Sequence, residues 1–409
     1  MSERLFVIVG GGLAGAKAAR TLRDEGFDGR VVLVSRETEL PYERPPLSKG
    51  YLLGKEPFEK AVVNDREWYD THGVELRSGV SATSLDPAAH TVGLDDGATL
   101  TYDRLLLATG ALPRLLDVPG ADEAPVRYLR TRADSDELRA DLAGGTRRVV
   151  VIGGGWIGLE AAAAARELGH DVTVLFPAEL PLLAPLGREM AAVFAALHTD
   201  HGVVLVPGSK AAAIEPDGSG WLVRDEAGTT YAADVLVAGI GAVPDSGLAE
   251  AAGLDMERGG VLADPGLRTS DPDVLVAGDI AAIWYDRYQT HIRLEHWATA
   301  LNSGPAAARS MLGQEVVYER VPYFYTDQFD LGMEYSGRSA DATQVVTRGA
   351  VAAREFVAFW IGADGRVLAG MNVNIWDVVE DIQALLRSEA PVDLARLTDP
   401  TVALSELLA

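Results

Sequence analysis

The chain has 409 residues, enough for two or three domains with sizeable cores, and its 48% hydrophobic and 23% charged residues are those of an ordinary globular protein. A formal net charge of −24 argues against nucleic acid or an anionic membrane as a partner, and the absence of cysteine excludes disulfides, thiolate metal ligands and any dithiol redox centre in this chain. No apolar run suits a membrane span, and "LFVIVGGGLAG" followed by Lys17, Arg20, Arg23 and Asp24 reads as a buried strand and turn, not a signal peptide, so a cytoplasmic protein is expected.

The first third alternates strand and helix. "LFVIVG" is a short buried strand, residues 13–25 a helix rich in small residues, and "RVVLVS" the next strand. "RETELPYERPPLSKGYLLG" carries three prolines and many charges and is expected to be irregular. Residues 90–110 alternate in polarity and contain an Asp-Gly turn, which predicts a hairpin excursion closing on the strand "RLLLATG". The second third repeats this plan: strand "RRVVVIGGG", a helix over 156–168, strand "DVTVLF", then an excursion closing on "DVLVAG". "LRTSDPDVLVAGDIA" is a strand ending at Gly278-Asp279, and a helix is expected around 296–312. From about Val321 polar alternation predicts an antiparallel sheet, with a last apolar segment near 375–387.

Two glycine loops carry the chemistry. Gly10, Gly12 and Gly15, with Leu13 and Ala14 between them, form one G-x-G-x-x-G; Gly153, Gly155 and Gly158, with Trp156 and Ile157, form another. The first glycine permits the turn, the second lets a pyrophosphate approach the backbone, and the third lets helix and strand pack closely. Both loops follow an apolar strand and open a helix, so the chain is expected to hold two dinucleotides. Flavin in the first and nicotinamide in the second is the simplest assignment. Asp279, at the end of "DVLVAGD", suits a hydrogen bond to a ribityl hydroxyl; its plainer reading is a helix N-cap.

Seven segments then resemble a family: "GGGLAG", "PYERPPLSKGYLLG", "LLLATGALPR", "VVVIGGGWIGLE", "VAGDIA", "EHWATALNSGPAAA" and "PYFYTDQFD". Together they look like the bacterial oxygenase-coupled ferredoxin reductases, FAD-containing relatives of putidaredoxin and rubredoxin reductases. The resemblance runs from residue 5 to about 387. It implies an α/β fold with two Rossmann-like dinucleotide-binding domains, for FAD (1–113 and 240–320) and NAD (114–239), plus a C-terminal α+β interface domain with an antiparallel sheet (321–409). It also implies hydride transfer from NADH, or NADPH, to flavin and then single-electron steps to a small iron–sulfur ferredoxin of a monooxygenase or dioxygenase system. The protein is expected to be a monomer or homodimer.

Within that resemblance Lys49 matches a lysine beside the flavin, and Glu160 an acid that lies near the nicotinamide and pairs with it. Their plainer readings are a solvated loop cation and a surface helix charge. Arg44 and Pro46 are expected to line the flavin, and Arg114, after "ATGALP", to touch a cofactor. Glu295, His296 and Trp297 lead into a helix whose N-terminus faces the flavin pyrimidine ring. Glu37, Val80, Ala108, Thr109, Gly110, Gly241 and Gly278 complete the expected cofactor contacts. Tyr323 and Tyr325 stand where the family usually has Trp, and Ser303 where it often has Gln.

Phe176 ends the strand "DVTVLF" where an acid is expected to bind the adenosine ribose and repel a 2′-phosphate. No arginine stands in "FPAELPLLAPLG", and Glu179 is the nearest acid able to bend back, so NADH is expected over NADPH. The histidines form no metal-binding spacing; His198 and His201 are expected to be solvated, and no metal is predicted. Arg338, Arg348 and Arg354 are read as solvated faces, the alternative being a meeting with an acidic ferredoxin. The alternatives are an NADH oxidase or quinone reductase, and a redox-sensing flavoprotein like apoptosis-inducing factor.

Overall fold

The computed structural model describes residues 4–408, so the first three residues of the expected first domain and the last of the third lie outside it. Its contacts gather the chain into two discontinuous units.

The first unit holds residues up to Pro45, Pro57–Leu112 and Ala242–Arg320. Its centre is a parallel sheet in the order Val274–Val276, Arg104–Leu107, Leu5–Val9, Arg30–Ser35, Val74–Ser78. Leu5–Val9 is buried at every residue, which is why it reads as an unbroken apolar run: helices cover both faces of such a sheet. Helix Leu13–Asp24 packs against helix Trp297–Met311 so closely that a Cβ on Gly304 would lie 2.2 Å from the Ala14 carbonyl oxygen. The hairpin excursion is present as Ala82–Asp86, Thr91–Leu94 and Thr99–Thr101, turning at Gly97 with φ +84°. Sequence reading missed a four-stranded sheet of Met256–Glu257, Gly260–Ala263, Ala281–Tyr285 and Thr290–Arg293. Its strands have two to five residues, too short for a period to register.

The second unit holds Pro46–Glu56, Pro113–Gly241 and the chain from Val321. Its parallel sheet runs Val204–Pro207, Asp171–Phe176, Arg148–Ile152, Val235–Ala238, Val126–Arg127, the same plan as in the first unit. Helix Trp156–Glu167 follows the second glycine loop, and helix Leu183–Asp200 is broken at Gly187, where φ is 74°. The expected excursion is Ala211–Asp217, Gly220–Asp225 and Thr230–Ala233. From Tyr323 five antiparallel strands follow in the order Tyr323–Gln328, Leu331–Gly337, Val367–Val373, Glu355–Gly362, Ala342–Ala350. Helix Val379–Ser388 lies on this sheet at Gly370, where a Cβ would sit 2.5 Å from the Ile382 Cγ2. Val149, Leu159 and Phe194 share one core with Leu331, Met333 and Phe356, so the antiparallel sheet and the second parallel sheet bury apolar surface together.

Candidate active site

In the first unit the glycine loop divides its labour. Gly10 has φ +124°, and a Cβ there would lie 2.0 Å from the Ala108 carbonyl oxygen; a Cβ on Gly15 would lie 2.0 Å from that of Gly10. These two glycines are required by packing. Gly12 caps helix Leu13–Asp24 with extended backbone, no side chain caps that helix, and a Cβ on Gly12 would meet nothing within 4 Å. The helix N-terminus is therefore an open cradle of N–H groups, which fits a pyrophosphate.

Beyond the next strand, Glu37 accepts from Arg44 at 2.6 Å and from the Tyr42 hydroxyl. Burial works against the Arg44 charge, but Tyr42, Glu37 and Asp279 outweigh it and hold the guanidinium above its ordinary pKa. Arg44, Glu37 and Asp279 thus belong to one electrostatic group. Val80 donates its N–H to the Ser35 carbonyl at 3.0 Å, beside the same strand end. Thr109 donates its hydroxyl to the Asp245 carbonyl at 2.6 Å, and the Gly110 carbonyl accepts from the Asp245 N–H at 2.9 Å.

Asp279 is 9% exposed and caps no helix: its own short turn is capped at Ala277, and helix Trp297–Met311 at His296. Its carbonyl accepts from Arg293, which also pairs with Glu295 at 2.6 Å. Burial pushes His296 down to about 4, against the opposing pull of Glu295, so its imidazole is neutral near pH 7. Trp297 donates its indole N–H to Glu43 at 3.0 Å, so it is more than a plain core aromatic. Ser303, fully buried, accepts from the Gly278 N–H at 2.9 Å and donates to the Thr299 carbonyl at 2.6 Å. It ties the left-handed Gly278 turn, φ +75°, to the helix. Ser303→Ala leaves that N–H unpaired, and denaturant unfolding should show a loss of about 1–3 kcal/mol.

In the second unit the loop repeats the arrangement. Gly153, φ +119°, packs on the Gly239 carbonyl and Gly158 on that of Gly153, with Cβ distances of 2.3 and 2.2 Å. A Cβ on Gly155 would find its nearest atom at 3.8 Å, and no side chain caps helix Trp156–Glu167. This loop too is a cradle that fits a dinucleotide. Ile157, 44% exposed, stands at its rim, while Trp156 turns inward against Phe194 and Phe324. Arg114 donates its backbone N–H to the Gly241 carbonyl at 2.9 Å.

Lys49 and Glu160 meet at 2.6 Å. The Pro46 carbonyl accepts from the N–H groups of Lys49 and Tyr51, forming the turn that presents the lysine. Glu160 is only 4% exposed and accepts two further bonds, from the Ser48 and Thr326 hydroxyls, each at 2.5 Å. The plainer readings of both residues are thereby excluded. The Lys49 ammonium also lies 5.7 Å from the Tyr325 ring centroid, a cation–π contact. Tyr323 donates its hydroxyl to Glu334 at 2.7 Å, and burial followed by Glu334 pushes its pKa up. Sequence reading missed Ser48, Thr326 and Gln328; the available signal was that Thr326 and Gln328 lie two apart and so share one strand face.

Phe176 is buried and packs over Gly154, where a Cβ would be 2.9 Å from its ring. Glu179 accepts from both terminal guanidinium nitrogens of Arg188, Nη1 and Nη2, at 2.7 and 2.5 Å, which holds its carboxyl below the usual range. Arg188 stands one residue beyond "FPAELPLLAPLG" and is the cation that Glu179 pairs with. The helix break at Gly187 lies between the two in the chain.

The solvated readings of His198, Arg348 and Arg354 are corrected. His198 is fully buried, not solvated, and burial lowers its pKa to about 4; His201 stacks on Phe329 with ring centroids 4.0 Å apart. Arg348 is spent on the carbonyls of Leu397 and Val402, and Arg354 pairs with Asp200, so neither is a solvated charge waiting for a partner. Among the described residues no group of His, Asp and Glu is arranged to hold a metal.

Comparison with known proteins shows the family. The family described as pyridine nucleotide-disulphide oxidoreductase matches residues 5–304, and the reductase C-terminal family matches 323–408. The ferredoxin–NAD(+) reductase component of the anthranilate 1,2-dioxygenase system of Burkholderia cepacia is 39% identical over 100% of both chains. Rhodocoxin reductase of Rhodococcus erythropolis is 38% identical over 90% of this chain and 86% of its own. The crystal structure of the covalent putidaredoxin reductase–putidaredoxin complex superposes with a TM-score of 0.94 at 35% identity, covering 99% of this chain and 98% of that one. The chain belongs to the pyridine nucleotide-disulphide oxidoreductase family, in its branch of oxygenase-coupled ferredoxin reductases, enzymes that pass electrons from NADH through FAD to a ferredoxin.

Proposed function

We propose that this chain takes reducing equivalents from NADH and delivers them singly to a small [2Fe–2S] ferredoxin serving a monooxygenase or dioxygenase. FAD, when bound, supplies the exchange between two-electron and one-electron chemistry. The carrying observation is the Lys49–Glu160 pair at 2.6 Å in a chain without cysteine. An ammonium held in place by a buried carboxylate favours negative charge developing beside it. With no dithiol to receive electrons, the protein must hand them to an external acceptor, and the named relatives support a ferredoxin in that role.

In this reading residues 1–113 and 240–320 bind FAD, 114–239 bind NADH, and 321–409 form the interface domain. Gly10, Gly12 and Gly15 cradle the FAD pyrophosphate, with Glu37, Arg44 and Asp279 around the same cofactor; Gly153, Gly155 and Gly158 serve NADH. No described helix is long and apolar enough to cross a membrane, and we assign the protein to the cytoplasm, as monomer or homodimer. Trace [2Fe–2S] ferredoxin should raise NADH-dependent cytochrome c reduction many-fold. No increase with any of a panel of ferredoxins would sink the proposal in favour of an oxidase, a quinone reductase or a redox sensor.

NADH is the proposed donor because Glu179 occupies Arg188, the cation that follows this strand end in the chain. Glu179→Gln should release Arg188 and raise kcat/KM for NADPH about tenfold, with that for NADH changed little. Steady-state rates with both donors check this, and a strong NADPH preference in the unaltered protein would overturn it.

A further inference from the structure

We propose that Thr326, Gln328 and His198 are positioning residues: a buried hydrogen-bond line of fixed direction that sets how Glu160 holds the Lys49 ammonium. The proposal rests on the reading above that this ammonium serves the flavin. All three residues are at most 1% exposed, and they come from two elements remote in sequence, strand Tyr323–Gln328 and helix Leu183–Asp200.

The direction follows from what each group can donate. The Gln328 amide NH2 donates to the Thr326 hydroxyl oxygen at 3.1 Å, so its carbonyl oxygen, 2.8 Å from the His198 Nε2, is an acceptor only. His198 must therefore carry its proton on Nε2, as the neutral imidazole favoured by its burial. Thr326 has one hydroxyl proton. With the Gln328 NH2 pointing at its oxygen, that proton goes to Glu160 Oε1 at 2.5 Å. The whole line ends as a donor on the carboxylate.

Oε1 is also the oxygen that binds the Lys49 Nζ at 2.6 Å, whereas Ser48 takes Oε2. Thr326 and Lys49 thus share one oxygen, and the hydroxyl decides which lone pair is left for the ammonium. Losing that hydroxyl lets the carboxylate turn and the lysine re-aim. Stability alone does not call for such a line, because apolar groups of the same shape can replace a buried hydrogen-bonded pair at little or no cost.

The test compares Thr326→Val, Thr326→Ser, Gln328→Leu and Lys49→Met as FAD-loaded enzymes. Three readouts are the stopped-flow rate of flavin reduction by NADH, the flavin midpoint potential, and the infrared carboxylate stretch of Glu160, assigned by its loss in Glu160→Gln. Thr326→Val is expected to slow reduction about tenfold, to move the potential negative and to shift the Glu160 band, with KM for NADH within about twofold. Thr326→Ser should restore all three, and Gln328→Leu should fall between. If Thr326→Val and Gln328→Leu match the unaltered enzyme while Lys49→Met is slow, the positioning line is wrong. If Lys49→Met itself leaves rate and potential unchanged, the flavin reading falls. In that case a shifted Glu160 band in Thr326→Val still upholds the line as the holder of the carboxylate, and an unshifted band overturns it.

Discussion

Gly12→Val is expected to yield a folded but colourless protein. Apart from its chain neighbours, a Cβ at this position meets no atom of the described residues within 4 Å, so the fold has room for the side chain. That room is the space in front of the uncapped N-terminus of helix Leu13–Asp24, where the proposed FAD pyrophosphate would accept from backbone N–H groups. A branched side chain there blocks the approach. Losing two hydrogen bonds to a charged group, at about 2 kcal/mol each, corresponds to about a thousandfold in affinity. The flavin absorbance of the purified protein and a titration with FAD measure the loss directly. Gly15→Ala is the contrasting case, because its Cβ would lie 2.0 Å from the Gly10 carbonyl oxygen. It should lower the unfolding midpoint even without cofactor. A Gly12→Val protein that retains stoichiometric FAD would remove this loop from the cofactor site.

Lys49→Met should slow flavin reduction by NADH about a hundredfold or more, the usual consequence of removing one charge-stabilising donor from a water-excluded site. The same change leaves Glu160 buried with no cation. Breaking a buried pair from one side costs about 3–5 kcal/mol, and the low end is expected because the Ser48 and Thr326 hydroxyls still donate to the carboxylate. Stopped-flow absorbance and denaturant unfolding separate the two effects. Unchanged reduction kinetics would strip Lys49 of its assigned role, whatever happened to stability.

The line from Phe176 to Arg188 shows how far local reading reaches. Phe176 departs from the acid expected at a ribose-binding strand end, and that departure is visible in six residues of sequence. What it leads to is not. Glu179 and Arg188 are nine residues apart, on either side of a helix start, and the backbone departs from helical geometry at Gly187 between them.

The two glycine loops, the strands around them and the resemblance to ferredoxin reductases are written in the chain itself, because each depends on neighbours in sequence. A buried parallel strand is an apolar run, a phosphate loop needs glycine at fixed spacing, and the lack of cysteine is a count. Even there, the sequence alone does not divide the glycines into those that packing requires and those that leave space; carbonyl distances of 2.0–2.3 Å at Gly10, Gly15, Gly153 and Gly158 do that. The surroundings of Glu160 depend wholly on tertiary structure. Its donors Ser48, Lys49 and Thr326 come from segments more than 100 residues away on either side, and His198 looked like an exposed helix end until folding buried it. Burial and hydrogen-bond direction are properties of what the fold brings together, and no local pattern encodes them.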